Sequence, residues 1–269
     1  MKEEALQLFR DIGDKRGESI VLFNLGGLDY QQGQLAAATE KYNQAMALQR
    51  ELSFKRGLSY SLVGLAEVLI AQDRLDEALA STHQSLTLRE HNEEKNYSAE
   101  SNLQLAEIAL DQARPAEAES LARKAASVFE KNKVSGSASL AYTMLTRSLV
   151  AQGKISEARA AAGHAVALAN QGSDRMVRIK AGLAAAEAET LSGKAAEAGR
   201  DLNALQARAR HDGYAVFELE ARLLLGRAEL RAGRPAAARA RLDRLESDAR
   251  GKGFLLIARQ ASASPPGVH

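Results

Sequence analysis

Apolar and polar positions alternate along the chain with the period of an α-helix. In the segment 19–33, apolar residues recur at steps of three and four, as in Val21, Leu22, Leu25 and Leu28. The next segment, 35–52, shows the same spacing. Such spacing places the apolar residues on one face of a helix. The two segments therefore predict a pair of amphipathic helices joined by a short turn at Gly33.

The same helix pair recurs every 40 residues. The stretch GKISEARA, which begins at Gly153, has counterparts beginning at 33, 73, 113, 193 and 233, with no change of register. Small residues on facing helices let two helix axes approach closely, while larger apolar residues fill the flanks. An alanine column marks this close contact in every copy, at Ala38, Ala78, Ala118, Ala158, Ala198 and Ala238. Pro115 and Pro235 fall where a second helix begins, a position that tolerates proline.

The dipeptide Gly153-Lys154 also matches the end of a phosphate-binding loop. The full loop needs glycine at 148 and serine or threonine at 155, where Ser148 and Ile155 stand. It also needs a strand before it, and the preceding segment has the pattern of a helix. We therefore interpret Gly153-Lys154 as a turn between paired helices.

The pattern formed by Leu25-Gly26, Gly33, Ala38, Tyr42 and Ala45 resembles the tetratricopeptide repeat (TPR). That repeat usually has about 34 residues, and the longer spacing here is similar to variants in bacterial signalling and regulatory proteins. The aromatic position of Tyr42 is not kept in later copies, and the usual proline near the end of the second helix is absent. Armadillo and HEAT repeats, which also have periods near 40, remain the alternative.

The resemblance implies an all-α fold, a right-handed superhelical solenoid of antiparallel helix pairs. We expect a single array over residues 1–262. It comprises the second helix of a partial repeat over 3–17, about six repeats of 40 residues, and a capping helix near 254–262. A disordered tail is expected over 263–269. The partial first repeat suggests either a piece of a longer protein or a lone helix that caps the stack.

Composition narrows the range of functions. The chain has a formal net charge of +2, no cysteine and five histidines, and the histidines lack the spacing of paired metal ligands. We therefore expect no enzyme activity, no cofactor and no metal. The balanced charge argues against direct binding of nucleic acid. No stretch approaches the roughly 18 apolar residues of a membrane helix, and the N-terminus lacks the pattern of a signal peptide, so a cytoplasmic location is expected.

The resemblance also implies that the first helices of the pairs line a concave groove that holds a peptide or a partner's segment. Candidate groove residues point away from the small-residue contact; they are Asn24, Tyr60, Glu67, Glu100, Glu107, Arg147, Lys180 and Arg227. Acidic residues precede basic ones along this surface, which would orient a charged ligand. The alternative is that these are ordinary charges paired between neighbouring repeats, such as Glu107 with Arg147.

Three functions follow as expectations. The first is a non-catalytic protein-protein interaction scaffold that binds a protein or peptide partner in the groove. The second is the regulatory or sensor region of a larger bacterial transcription regulator or kinase. The third is a self-assembly module, a homo-oligomer formed through the end repeats.

Overall fold

A computed structural model describes residues 2–91 and 94–263, and within those ranges the chain forms fourteen α-helices and no strand. The predicted all-α array of helix pairs is confirmed. Residues 264–269, most of the expected disordered tail, lie outside the described residues. The helices are α1 Lys2–Asp11, α2 Lys15–Gln31, α3 Leu35–Glu51, α4 Lys55–Ala71, α5 Leu75–His91, α6 Lys95–Asp111, α7 Pro115–Lys131, α8 Ser135–Ala151, α9 Ile155–Ala169, α10 Arg175–Leu191, α11 Ala195–His211, α12 Ala215–Arg231, α13 Pro235–Gly251 and α14 Leu255–Ser262.

The turns explain the 40-residue period. Most helices have 17 residues and are followed by three turn residues, so one helix and its turn take 20 positions and a pair takes 40. The middle residue of the turn adopts a left-handed conformation, with φ of +80° at Gly33 and +72° at Gly153. The Gly33 amide donates to the carbonyl of Tyr30 at 3.0 Å, which satisfies a carbonyl at the helix end. The Gly153-Lys154 turn predicted from the sequence is confirmed.

The alanine column is the close contact between the helices of each pair. All six alanines of this column are 0% exposed, so no larger side chain fits there without moving a helix. Pro115 and Pro235 are the first residues of α7 and α13, as the sequence predicts.

Tyr42 and its counterpart in the last repeat both pack against glycine. The ring of Tyr42 fills the space above two glycines: a Cβ added to Gly64 would lie 2.5 Å from this ring, and one added to Gly26 would lie 3.0 Å from it. At the last repeat, Leu242 occupies the same slot against Gly226. The position of Tyr42 and Leu242 therefore holds a large side chain in the two repeats where Gly26 and Gly226 lie opposite.

The two ends of the array contact each other, which the sequence analysis did not predict. The helix α14 packs against α4 and α12, and a single apolar cluster joins Leu35 and Val68 to Leu219 and Phe254. The Arg259 guanidinium makes two hydrogen bonds to the Asp73 carboxylate, at 2.7 and 2.8 Å. We call this contact the closing seam. It turns the expected open groove into a closed channel.

Candidate functional site: a central channel

The first helices of the pairs converge on one channel. Side chains from α2, α4, α6, α8, α10 and α12 line a cavity of about 270 Å³, here called the inner cavity. A second cavity of about 350 Å³, here called the aromatic cavity, adjoins it and shares the walls formed by Tyr30, Glu67 and Lys180. The two cavities together form the central channel.

Most of the candidate residues lie on this channel. Six of them line one or both cavities: Tyr60, Glu67, Glu100, Glu107, Arg147 and Lys180. The other two do not. Asn24 is exposed on α2, and Arg227 on α12 lies outside the linings of both cavities.

Several channel charges are paired between neighbouring repeats. Arg147 lies 3.8 Å from Glu107, and Arg227 lies 3.6 Å from Glu187; the partners in each pair are 40 residues apart. The buried guanidinium of Arg89 lies 3.7 Å from Glu100. The pairing expected as the alternative to ligand binding therefore exists, and it accounts for these charges but not for all of them.

Three charged side chains on the channel have no ion pair in the described part of the chain. They are Glu67, Glu220 and Lys180, each partly buried. Burial raises the pKa of Glu67, and the nearby Lys180 ammonium partly offsets that rise. Burial lowers the pKa of Arg147, but the surrounding carboxylates, with Glu220 foremost, outweigh it and hold the pKa above its ordinary value. The carboxylates thus dominate the electrostatics of the channel.

Aromatic rings surround the aromatic cavity. Its walls include Phe23, Tyr30, Tyr42, Tyr60, Tyr214 and Phe217. The Lys180 ammonium lies 5.3 Å from the centre of the Phe217 ring, and the Arg89 guanidinium lies 5.4 Å from that of Tyr60. Both distances are typical of cation–π contacts, so these rings already stabilise positive charge.

Sequence reasoning missed several channel residues. Glu220 lies in the same 40-residue column as Tyr60 and Glu100, so periodicity alone could have selected it. Tyr30 and Phe217 carry no such signal, because their 40-residue columns hold mostly apolar or small residues, such as Leu230 and Val177, and therefore look like packing positions. They reach the channel because the closing seam brings α12 beside α2 and α4.

Two classes of site are absent from the described part of the chain. Residues 2–91 and 94–263 contain no group of three or more histidine, cysteine, aspartate or glutamate side chains placed to hold a metal ion. Among the same residues, no helix is both long enough and apolar enough to cross a membrane.

The model of one protein family, described as the MalT-like TPR region, matches residues 1–257. The chain belongs to the MalT-like TPR family. The TPR resemblance read from the 40-residue repeat is thereby confirmed, and the match spans all six copies of the repeat. A search of the curated proteins finds no match to this MalT-like TPR chain.

Solved structures share the fold of this MalT-like TPR array at low sequence identity. A Rap protein complexed with Competence and Sporulation Factor is 14% identical, with a TM-score of 0.65 over 95% of this chain and 77% of that chain. Aspartyl phosphate phosphatase F from Bacillus subtilis is also 14% identical, with a TM-score of 0.60 over 97% and 75%. A tetratricopeptide repeat protein from Parabacteroides merdae is 18% identical, with a TM-score of 0.53 over 97% and 98%.

Proposed function

We propose that the chain is a non-catalytic protein-interaction module that binds a short segment of a partner protein or peptide in the central channel. The observation that carries the proposal is the convergence of six helices on a closed channel lined by charged and aromatic side chains. Cavities of roughly 300–1,000 Å³ are typical of ligand sites. The similarity to a Rap protein that was solved with a bound factor supports the same use of the fold.

The closing seam limits what the channel can hold. An open superhelix can wrap around a folded domain or a long helix, whereas a closed channel of this size admits a few residues in an extended conformation. The partner must therefore supply a loop or a chain terminus. Carboxylates on the walls favour donors and positive charge on that segment.

Filling the channel tests the proposal. Ser137 lines the inner cavity and is partly buried, so Ser137→Trp would place a large ring in the space for the ligand. Ser156, which is exposed on α9, offers the matched control Ser156→Trp. We expect peptides selected from a random library to bind the wild type and Ser156→Trp alike, and Ser137→Trp at least about tenfold more weakly.

Two results would contradict the proposal. One is a library screen from which no peptide binds the folded wild type, as measured by calorimetry. The other is equal binding by Ser137→Trp and the wild type, which would place the binding surface outside the channel.

The second candidate function is the regulatory or sensor region of a larger bacterial transcription regulator or kinase. The family description favours it, because the matching model represents a TPR region of MalT-like proteins. In that case ligand binding in the channel would control a fused domain. The open reading frame around the native gene tests this: a fused DNA-binding or kinase domain supports it, and a gene that encodes only these repeats contradicts it.

Self-assembly through the end repeats stays a prediction. At the C-terminal end, α14 packs within the same chain against α4 and α12, so an assembly would use another surface. Leu8 on α1 and Ile12 just after that helix are 58% and 64% exposed, and these residues would supply the contact. Light scattering at high concentration distinguishes a dimer, which supports this function, from a monomer, which contradicts it. The cytoplasmic location also stays a prediction.

A further inference from the structure

The charged side chains of the channel include one more carboxylate than cations. Five carboxylates on or beside the channel face four cations, which gives the set a net charge of −1; the carboxylates are Glu67, Glu100, Glu107, Glu187 and Glu220, and the cations are Arg89, Arg147, Lys180 and Arg227. An excess of negative charge at partly buried positions is costly, because the surrounding protein solvates it poorly. A bound group with one positive charge would restore neutrality.

The aromatic residues point to the same chemistry. The chain has only six tyrosines and six phenylalanines, and six of these twelve residues line the aromatic cavity. Aromatic rings attract ammonium and guanidinium groups through the negative charge of their faces. Such a concentration, in a chain otherwise poor in aromatic residues, favours a cation with an apolar stem, which can pack along the rings.

The hydroxyl of Tyr42 adds a polar group to the aromatic wall. Tyr42 lines the aromatic cavity, and its ring is held against Gly26 and Gly64. A bound N–H donor that reaches this hydroxyl would find an oxygen acceptor there.

We infer that the channel recognises a single lysine or arginine side chain of the bound segment, with its charge between Glu67 and Glu220 and its stem along the aromatic walls. This inference rests on the proposed function and names the feature of the segment that is recognised. Tyr30 lines the same cavity as these two carboxylates, and burial followed by the charge of Glu67 raises its pKa well above the ordinary value. A neutral Tyr30 hydroxyl on this wall would be a further oxygen acceptor for the cation.

The test compares charged and neutral side chains of the same shape. Acetylated and amidated hexapeptide libraries are prepared with one fixed residue: lysine or norleucine, arginine or citrulline, and glutamate. We expect the lysine and arginine pools to bind at least about tenfold more tightly than their neutral counterparts, and the glutamate pool to bind most weakly. Calorimetry on the best sequence of each pool gives the dissociation constants.

Variants of the channel separate recognition from folding. Glu67→Gln and Glu220→Gln keep the size of the side chain and should each reduce the preference for the charged residue to about threefold or less. Lys180→Met removes the competing cation and should strengthen binding of the cationic peptides. Glu90→Gln, at an exposed position on α5, is the matched control and should behave as the wild type. Circular dichroism confirms that each variant is folded.

The outcomes separate this inference from the proposed function. Peptides that bind the channel without regard to charge, or that bind better with glutamate, overturn the inference and leave the proposed function standing. An unchanged preference in both Glu67→Gln and Glu220→Gln also overturns it. If no peptide of any pool binds, the proposed function fails, and this inference fails with it.

Discussion

Substituting Phe254 with alanine should destabilise the folded protein, because it removes apolar contacts from the closing seam. Phe254 lies just before α14 and is 0% exposed. Its ring lies 3.3 Å from the position that a Cβ of Gly33 would occupy, so it joins the start of the last helix to the turn between α2 and α3. The substitution removes most of the aromatic contact across the seam.

The expected loss in the free energy of unfolding is about 3–5 kcal/mol, the usual range for a buried phenylalanine replaced by alanine. The polar part of the seam contributes far less. The Arg259 and Asp73 side chains are 49% and 25% exposed, and ion pairs of this kind contribute about 0.2–1 kcal/mol. Asp73→Asn should therefore lower stability by about 1 kcal/mol or less.

Urea unfolding followed by circular dichroism measures both variants under the same conditions. A loss for Asp73→Asn that equals or exceeds the loss for Phe254→Ala would refute the reasoning, because it would make the ion pair rather than apolar burial the main contact. A stability of Phe254→Ala equal to that of the wild type would show that the ends do not meet in solution.

Three further predictions follow from the packing and from one buried carboxylate. Gly64→Ala should lower the free energy of unfolding by about 1–3 kcal/mol, because the added methyl group clashes with Tyr42. In a double-mutant cycle, Tyr42→Thr should recover part of that loss, and additive losses would contradict the clash. Gly153→Ala should lower the free energy of unfolding by about 1 kcal/mol, because residue 153 has a left-handed conformation. Ala113→Gly at the equivalent turn (φ +59°) should raise it by about 0.5–1 kcal/mol. The urea midpoints of the two variants should therefore shift in opposite directions from that of the wild type. Burial raises the pKa of Asp111 to about 7, above its unfolded value, so its contribution to stability is present at low pH and is lost as pH rises. Between pH 5 and 8 the wild type should lose about 2 kcal/mol relative to Asp111→Asn, and parallel pH profiles of unfolding would contradict this.

Closure of the array has a consequence for cooperativity. Repeat proteins are usually stabilised by contacts between neighbouring repeats alone, so their ends fray independently. Here the last helix is packed against the first full repeat and the one after it, so unfolding either end disrupts the other. The chain should therefore unfold as a single unit, although its contacts within the repeats are local.

Much of the fold could be predicted from the sequence because the repeat is regular. The alanine column at 38 and its five copies identified the close helix contacts. The 40-residue register is kept because helix and link together take 20 positions, even where α9 has 15 residues and its link to α10 has five. The same regularity located Glu67, Glu107 and Arg147 on one surface, since residues 40 apart occupy equivalent positions in successive pairs.

The closed channel could not be predicted in this way. Closure depends on the rotation between successive pairs, which accumulates over the whole array and is not encoded in any single repeat. Phe254 and Leu35 are 219 positions apart, and neither stands out in the sequence as a member of an interface. For the same reason, the placement of Phe217 and Tyr30 on one channel carries no local signal.

Engineered cysteines across the seam test the central claim, that the ends of the array meet and close the channel. The natural chain has no cysteine, so the two introduced thiols of a double variant can form a disulfide within one molecule only with each other. A Cβ on Gly33 would lie 3.0 Å from the Cβ of Ala215, close to the separation of about 3.5–4.5 Å in a disulfide, and a small shift of the turn accommodates the bond. The control pairs Ala215→Cys with Gly153→Cys, a turn position with no other side chain within 4 Å. We expect Gly33→Cys/Ala215→Cys to oxidise to an intramolecular disulfide in the monomer while the control stays reduced; a seam pair that stays reduced, or that crosslinks only between molecules, would contradict the closed channel.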